Sequence, residues 1–374
     1  MDQKQYVLIF STAYHPFIGG AELAIKEITD RIYDPYFILI TARMRRDLPF
    51  RERVDNVDVY RVGIGIPFLD KILSPVLAAC LVFMITRHTR VCLFWSVMVS
   101  YITITPALLK MFGLYRTTPF LLTLQEGDSE KHIFEGRFGF IAYGWRTCLK
   151  YANHVQVIST YLGKLARDFG YKGHISVVPN GVDAQKFQIE EKKEKKIIIT
   201  ISRLVEKNGV DTLIKAFAEV HKKIPDAKLH IVGDGKLRTE LETLSEKTGV
   251  RQAVTFLGSV PNENLPQYLA GADLFVRPSR SEGLGTAFLE AMAAGLPIIG
   301  TPVGGIVDFL KDGETGLFAK VDDADDLASK IQKLFTDKVL YKKLQENGHR
   351  LMEEQYQWDG IVVCMKTIFQ NLCA

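Results

Sequence analysis

At 374 residues the chain is too long for one ordinary core and suits two domains of normal size. Hydrophobic residues make up 47% and charged residues 24%, a globular balance that excludes a disordered chain. The formal net charge of +4 is too mild to argue for a nucleic-acid partner, and no nucleic-acid motif is present.

Strand and helix signals alternate from the start. The N-terminal Met1–Gln5 runs straight into a buried strand at Tyr6–Phe10, with no signal peptide in view. His15-Pro16-Phe17-Ile18-Gly19-Gly20-Ala21-Glu22 then opens a helix over Ala21–Tyr33, a geometry ready for an anion, although a tight turn explains the glycine pair equally well. Glu22 reads as a first-turn carboxylate that complements the helix dipole. Strands follow at Phe37–Ile40, Val57–Val62, Pro119–Leu124 and His154–Ile158, the last two each leading into a helical pattern, and Ile175–Val178 closes this half.

Two apolar runs need a membrane test. Ile72–Ile85 is 14 residues long and holds Ser74 and Pro75; Val91–Phe112 is broken by Ser96, Ser100, Thr103, Thr105, Pro106 and Lys110. Neither is the clean run of about 20 apolar residues that spans a bilayer. Both therefore read as buried helices and strands of a parallel sheet. Peripheral contact is the alternative, because Arg43, Arg45, Arg46, Arg51, Arg53, Lys71, Arg87 and Arg90 lie nearby and suit anionic lipid. Five scattered cysteines, Cys80, Cys92, Cys148, Cys364 and Cys373, show no C-x-x-C spacing, so neither a disulfide framework nor a zinc site is expected and a cytoplasmic setting fits.

The turn cluster Pro179-Asn180-Gly181-Val182-Asp183 and the charged run Glu190–Lys196 mark a linker. Beyond it the same grammar repeats: strand Ile197–Ile201, helix Val210–Lys223, strand Lys228–Val232, helix Leu237–Thr248, then short strands at Val254–Phe256, Leu274–Val276 and Ile298–Ile299. Such alternation predicts α/β architecture, with two doubly wound parallel sheets linked by right-handed crossovers. Ligands of such sheets bind beyond the carboxyl ends of the strands, so a cleft between two facing domains is the expected site. A last helix is expected over Trp358–Leu372.

The densest chemistry lies in Arg280–Pro297. Glu282 and Glu290 stand eight positions apart around Gly283-Leu284-Gly285-Thr286, and a helix is expected over Leu284–Ala294. The glycines let the backbone approach a ligand, and a helix N-terminus attracts anions. Phosphate affinity beside two acceptors for hydroxyls suits a sugar nucleotide. Arg203 and Lys207 follow the strand at Ile197–Ile201, where cations meet phosphate oxygens; as isolated residues they are ordinary surface charges. Gly233-Asp234-Gly235 lacks the third glycine of a dinucleotide fingerprint and reads mainly as a turn. Thr301-Pro302-Val303-Gly304-Gly305 is a second glycine loop, fit for a phosphate or hydroxyl contact or for a plain turn. Gln125, Glu126, Asp128 and His132 crowd the loop after Leu124; they are candidates for holding donor sugar or acceptor, or a surface loop with a helix cap at Asp128 or Ser129.

Taken in order, "HPFIGGAE", "VPNGVD", "SRLVEKNGVDTLIKAF", "LHIVGDG" and "RPSRSEGLGTAFLEAMAAGLPIIGT" resemble the family-4 retaining glycosyltransferases over essentially the whole chain. The resemblance implies the GT-B fold, with two Rossmann-like domains facing a central cleft. Residues 1–185 would bind the acceptor and 186–355 the nucleotide-sugar donor, and 356–374 would cross back to the first domain. It implies that Arg203 and Lys207 neutralise the donor diphosphate, that Glu290 binds the ribose hydroxyls, and that Glu282 lies beside the donor sugar. Gly283, Leu284, Gly285 and Thr286 would contact sugar and phosphate through their backbone. Gly19 and Gly20 would approach the phosphates, and the base would lie against Gly258–Val260. Many members carry a His where this chain has Gln125-Glu126, which leaves that role to Gln125, Glu126 or His132.

The implied reaction moves a sugar from the nucleotide-sugar to a glycan or lipid-linked acceptor, with retention and with no metal or other cofactor required. The protein would work in the cytoplasm, at the inner face of the membrane if the first domain touches lipid. Asn208 stands where a Lys or Gly is commoner. A sugar-nucleotide epimerase on the same fold and a non-catalytic nucleotide-sugar-binding subunit are the competing readings.

Overall fold

The computed structural model describes residues 4–17, 19–187 and 195–374, and the backbone alone at Arg137 and Phe138. Met1–Gln3, Ile18 and the Glu190–Glu194 part of the expected linker lie outside the described residues. The chain divides into two compact units, each with its own sheet. The first comprises the residues up to Glu126, Glu130–Asn180 and Trp358–Ala374; the second comprises Gly127–Ser129 and Gly181–Gln357.

In chain order the first unit holds β1 (Gln5–Phe10), α1 (Gly20–Arg31), β2 (Tyr36–Ala42), β3 (Arg51–Val54), β4 (Val57–Val62), α2 (Pro67–Thr86), β5 (Arg90–Val97) and α3 (Thr105–Met111). β6 (Phe120–Leu124), α4 (Glu130–Glu135), α5 (Phe140–Tyr151), β7 (His154–Val157), α6 (Thr160–Asp168) and β8 (His174–Val177) follow. The sheet order is β3-β4-β2-β1-β5-β6-β7-β8, parallel except for β3 at its edge. The central strands are apolar on both faces because helices cover both, as a parallel sheet requires.

The second unit holds β9 (Ile197–Ile201), α7 (Val210–Lys223), β10 (Lys228–Val232), α8 (Arg238–Lys247), β11 (Val254–Gly258), α9 (Leu265–Ala270), β12 (Leu274–Val276) and α10 (Thr286–Ala293). β13 (Ile298–Gly300), α11 (Ile306–Phe309), β14 (Leu317–Phe318), α12 (Ala324–Thr336) and α13 (Lys338–Gln355) complete it. All neighbours in the order β11-β10-β9-β12-β13-β14 pair in parallel. The order reverses between β9 and β12, and crevices at such switch points hold ligands in open α/β sheets.

The final helix, α14 (Trp358–Cys373), packs in the first unit. Trp358, Ile361, Met365 and Phe369 are its buried stripe, at the spacing of one helix face. Phe369 is fully buried, with its ring centroid 5.0 Å from that of Trp95 on β5 and 5.9 Å from that of Phe37 on β2.

Two sequence expectations need correction. Cys92 on β5 and Cys373 at the end of α14 form a disulfide with 5.0 Å between their Cα atoms. Their 281-residue separation hides the pairing from any spacing rule; tertiary packing of α14 creates it. The apolar run at Ile72–Ile85 is also not a buried core helix. It belongs to the 20-residue α2, which, contrary to expectation, is long and apolar enough to cross a membrane, and only 22% of its most apolar window is buried. The second run, Val91–Phe112, divides into β5, a 3-10 turn at Tyr101–Ile104 and α3, largely buried as expected.

Candidate active site

Five loops of the second unit emerge from the carboxyl ends of its parallel strands: Arg203–Gly209 after β9, Gly233–Gly235 after β10, the loop from Gly258 after β11, Arg277–Gly285 after β12 and Thr301–Gly305 after β13. Close backbone contact ties them together. The amide of Arg280 donates to the carbonyl of Lys207 at 2.7 Å, and that of Gly305 to Glu282 at 3.2 Å. Glycine makes this approach possible at two points. Gly209, at φ +66°, would place a Cβ 2.0 Å from the Pro278 carbonyl oxygen, and Gly304, at φ +55°, would place one 1.7 Å from that of Glu282. Any side chain there would force the loops apart.

Glu282 precedes α10, and Glu290 lies on it. The helix starts at Thr286, two residues later than the periodicity suggests, because Gly285 takes a left-handed conformation at the N-cap. Glu290 is buried, and burial pushes its carboxyl up from the ordinary 4.5 to about 7, against an opposing pull from Arg277. Glu282 is also buried and forms an ion pair with Arg277 through Oε2. Its Oε1 accepts from the amide of Gly283 at 3.2 Å.

Arg277 is the residue that sequence reasoning missed. It stands within the resembling string, yet its role shows only when β12 ends and turns it inward. Its guanidinium also donates to Asn208 Oδ1 at 3.1 Å and lies 5.8 Å from the Phe288 ring centroid. Asn208 in turn donates to the Arg203 carbonyl at 2.7 Å, so it links Arg277 to the loop after β9. A usable signal existed: a buried strand followed at once by a cation.

Lys207 Nζ donates to the Gly127 carbonyl at 2.7 Å and lies 3.1 Å from Asp128 Oδ1. Ser281 Oγ donates to the same carbonyl at 3.2 Å. Lys207, Gly127, Ser281, Glu282 and Gly283 therefore form one cluster. Arg203 is exposed, and among the described residues nothing pairs with its guanidinium. Gly233, Asp234 and Gly235 serve as a turn, with the Asp234 carbonyl accepting from Leu204 at 2.9 Å. Gly258 accepts from Gly233 at 2.7 Å, with Val260 two residues on.

In the first unit, Glu126 is buried, and its carboxylate accepts from the amides of Val99 and, at 2.9 Å, Gln125. It is built into the loop. Gln125 Oε1 accepts from Asn180 at 3.1 Å, while His132 is exposed on α4. Gly19 caps α1, its amide donating to Glu22 Oε2 at 2.9 Å, which gives Glu22 the expected first-turn role. Gly20 has open space where a side chain would begin.

Residues 182–351 match the family model for glycosyl transferases group 1. That stretch of the chain is similar to the glycosyl transferases group 1 domain. It is 32% identical over 226 residues to the GDP-mannose-dependent alpha-(1-6)-phosphatidylinositol monomannoside mannosyltransferase of Mycobacterium tuberculosis, covering 55% of this chain and 59% of that relative. The chain thus spans little more than half the length of that curated relative. An uncharacterized glycosyltransferase of Methanocaldococcus jannaschii is 27% identical over 375 residues, covering 98% of both chains. Among solved structures, sucrose-phosphate synthase from Thermosynechococcus elongatus superposes with a TM-score of 0.85 at 21% identity, covering 99% of each chain. The fold is GT-B, as the group 1 domain and the two doubly wound sheets imply.

Proposed function

We propose that the chain is a retaining, metal-independent glycosyltransferase of the family-4 branch, which moves a sugar from a nucleotide-sugar to a glycan or lipid-linked acceptor. The observation that carries this reading is the clustering of Lys207, Glu282 and the Gly283 amide at the β9/β12 switch point, directly before α10 and its buried Glu290. The mannosyltransferase relative is named as GDP-mannose-dependent and as acting on a phosphatidylinositol mannoside, which supports both the donor class and the lipid-linked acceptor.

The chemistry follows from charge. Breaking the anomeric C–O bond leaves an oxocarbenium-like sugar and a nucleoside diphosphate. Lys207, Arg203 and the N-terminus of α10 would stabilise the negative charge as it develops on the diphosphate. Glu290, close to half protonated near neutrality, can accept from or donate to ribose hydroxyls. Glu282, held by Arg277, presents a fixed acceptor to the donor sugar. Asn208 and Arg277 act by positioning. Protein cations cover the leaving group, so no metal is required. In the first unit, Glu126 shapes its loop, which leaves Gln125 or His132 for the contact that a His makes elsewhere in the family. That unit would take the acceptor.

The test is a product assay with purified protein and a panel of UDP-, GDP- and ADP-sugars, with and without candidate acceptors. Acceptor-dependent release of nucleoside diphosphate with a new glycoside supports transfer. An epimerised nucleotide-sugar formed without acceptor would support the epimerase reading, and binding without turnover the non-catalytic one.

A further inference from the structure

The α2 helix carries its large apolar side chains on the face it exposes. The residues it buries are Asp70, Ser74, Ala78, Val82 and Ile85, spaced by three or four on one face. The residues it exposes are Phe68, Leu69, Ile72, Leu73, Val76, Leu77, Phe83 and Met84, with Phe68 72% and Val76 66% exposed. An ordinary surface helix does the reverse. The inward face is nonetheless well satisfied. The buried Asp70 carboxylate accepts from the amides of Met44, Ile64 and Gly65 at 3.1, 2.8 and 2.8 Å, which fixes the helix to the loop before it.

The apolar surface continues past the helix end. Thr86 Oγ1 and Tyr115 Oη lie 2.8 Å apart, which places the Met111–Leu114 turn beside the last turn of α2. Phe112 there is 75% exposed. Isolated exposed apolar residues are ordinary, but a contiguous face of this kind marks an interaction surface.

The rim is basic. Arg46 backs onto Gly65 just before the helix. Lys71 lies in its first turns, Arg87 sits 4.4 Å from the Phe83 ring centroid, and Arg90 and Arg116 are exposed beside the far end. The one acidic residue of α2, Asp70, is buried, and nearby Asp47 is paired with Arg45. A broad apolar face within a cationic rim, with no exposed carboxylate on the helix, complements an anionic bilayer surface.

Length and composition would let α2 cross a membrane. The buried, hydrogen-bonded Asp70 and the packing of α2 against β2, β4 and α3 argue for lying along the interface instead. We propose that α2, with the Met111–Leu114 turn, is a peripheral docking surface for anionic phospholipid. The surface lies within the first unit and does not rest on the transfer reading.

The test uses the full chain and sedimentation with vesicles of phosphatidylcholine alone or mixed with phosphatidylglycerol. Binding to the mixed vesicles at low salt, weakened by high salt and released by alkaline carbonate, is expected. Val76→Glu with Phe83→Glu, at exposed positions, should cut partitioning at least tenfold while the far-UV spectrum and melting midpoint stay unchanged. No binding to either vesicle, or undiminished binding of the double variant, overturns the proposal. Resistance to carbonate would overturn it in favour of a span. Concentration-dependent dimers that the same substitutions disperse, without vesicle binding, would assign the face to a second copy. Vesicle binding by a chain with no transfer activity leaves the proposal standing.

Discussion

Arg277 and Glu282 form a buried ion pair across the loop that leads into α10, and Arg277 also faces the buried Glu290. One guanidinium therefore compensates two carboxylates. Removing one partner of a buried pair costs about 3–5 kcal/mol, because the other is left charged and unpaired. Arg277→Ala is expected to lower stability by about that amount in chemical denaturation and to abolish transfer. Arg277→Lys should recover much of the stability and little of the activity, since an ammonium cannot reproduce the fork to Glu282 and Asn208. Equal activity in Arg277→Lys and the parent would remove the positioning role.

Glu290 predicts a pH dependence. Its carboxyl is pushed up from 4.5 to about 7, so between these values the folded state binds more protons than the unfolded one. Its contribution to stability is thus full below about pH 4.5 and is lost as pH rises through about 7. Glu290→Gln should flatten the part of the melting profile that falls between pH 5 and 8, leaving other groups' contributions in place. An unchanged profile would show that Glu290 titrates normally.

Phe369 anchors α14 between Trp95 and Phe37. Phe→Ala at a fully buried site costs about 3–5 kcal/mol. Phe369→Ala should lower the melting midpoint markedly, whereas Val363→Ala, on the exposed face of the same helix, should leave it nearly unchanged. Equal effects would mean that α14 is not held by this face.

Transfer should be insensitive to chelation. If Arg203, Lys207 and the α10 N-terminus cover the diphosphate as proposed, EDTA should leave the initial rate within about twofold, and added Mg²⁺ or Mn²⁺ should not raise it further. A rate abolished by EDTA and restored by a divalent cation would contradict metal independence.

Much of the fold is legible in the chain. The boundaries of β9, α7, β10 and β12 fall where periodicity and turn residues place them, because buried parallel strands and their covering helices leave strong local signals. What escapes is tertiary. β3 is an exposed edge strand that pairs with β4 and carries the charged Arg51, Glu52 and Arg53, so it has no apolar run to announce it. Cys92 and Cys373 meet only because α14 returns to the first unit. In the site, Glu282, Glu290, Arg203 and Lys207 stand out by spacing and position. Arg277 and Asn208 do not, because their importance lies in the groups they touch across loops. The orientation of α2 is equally hidden: its sequence reads apolar, and only the structure shows that Asp70 and Ser74 point inward while Phe68, Val76 and Phe83 face out.

The most direct measurement is the transfer rate of the Arg203→Ala/Lys207→Ala double variant with the parent protein's best nucleotide-sugar. A fall of at least about 10²–10³, in a variant that still folds, is expected if these cations carry the leaving-group charge. A double variant that is folded and fully active would contradict the account.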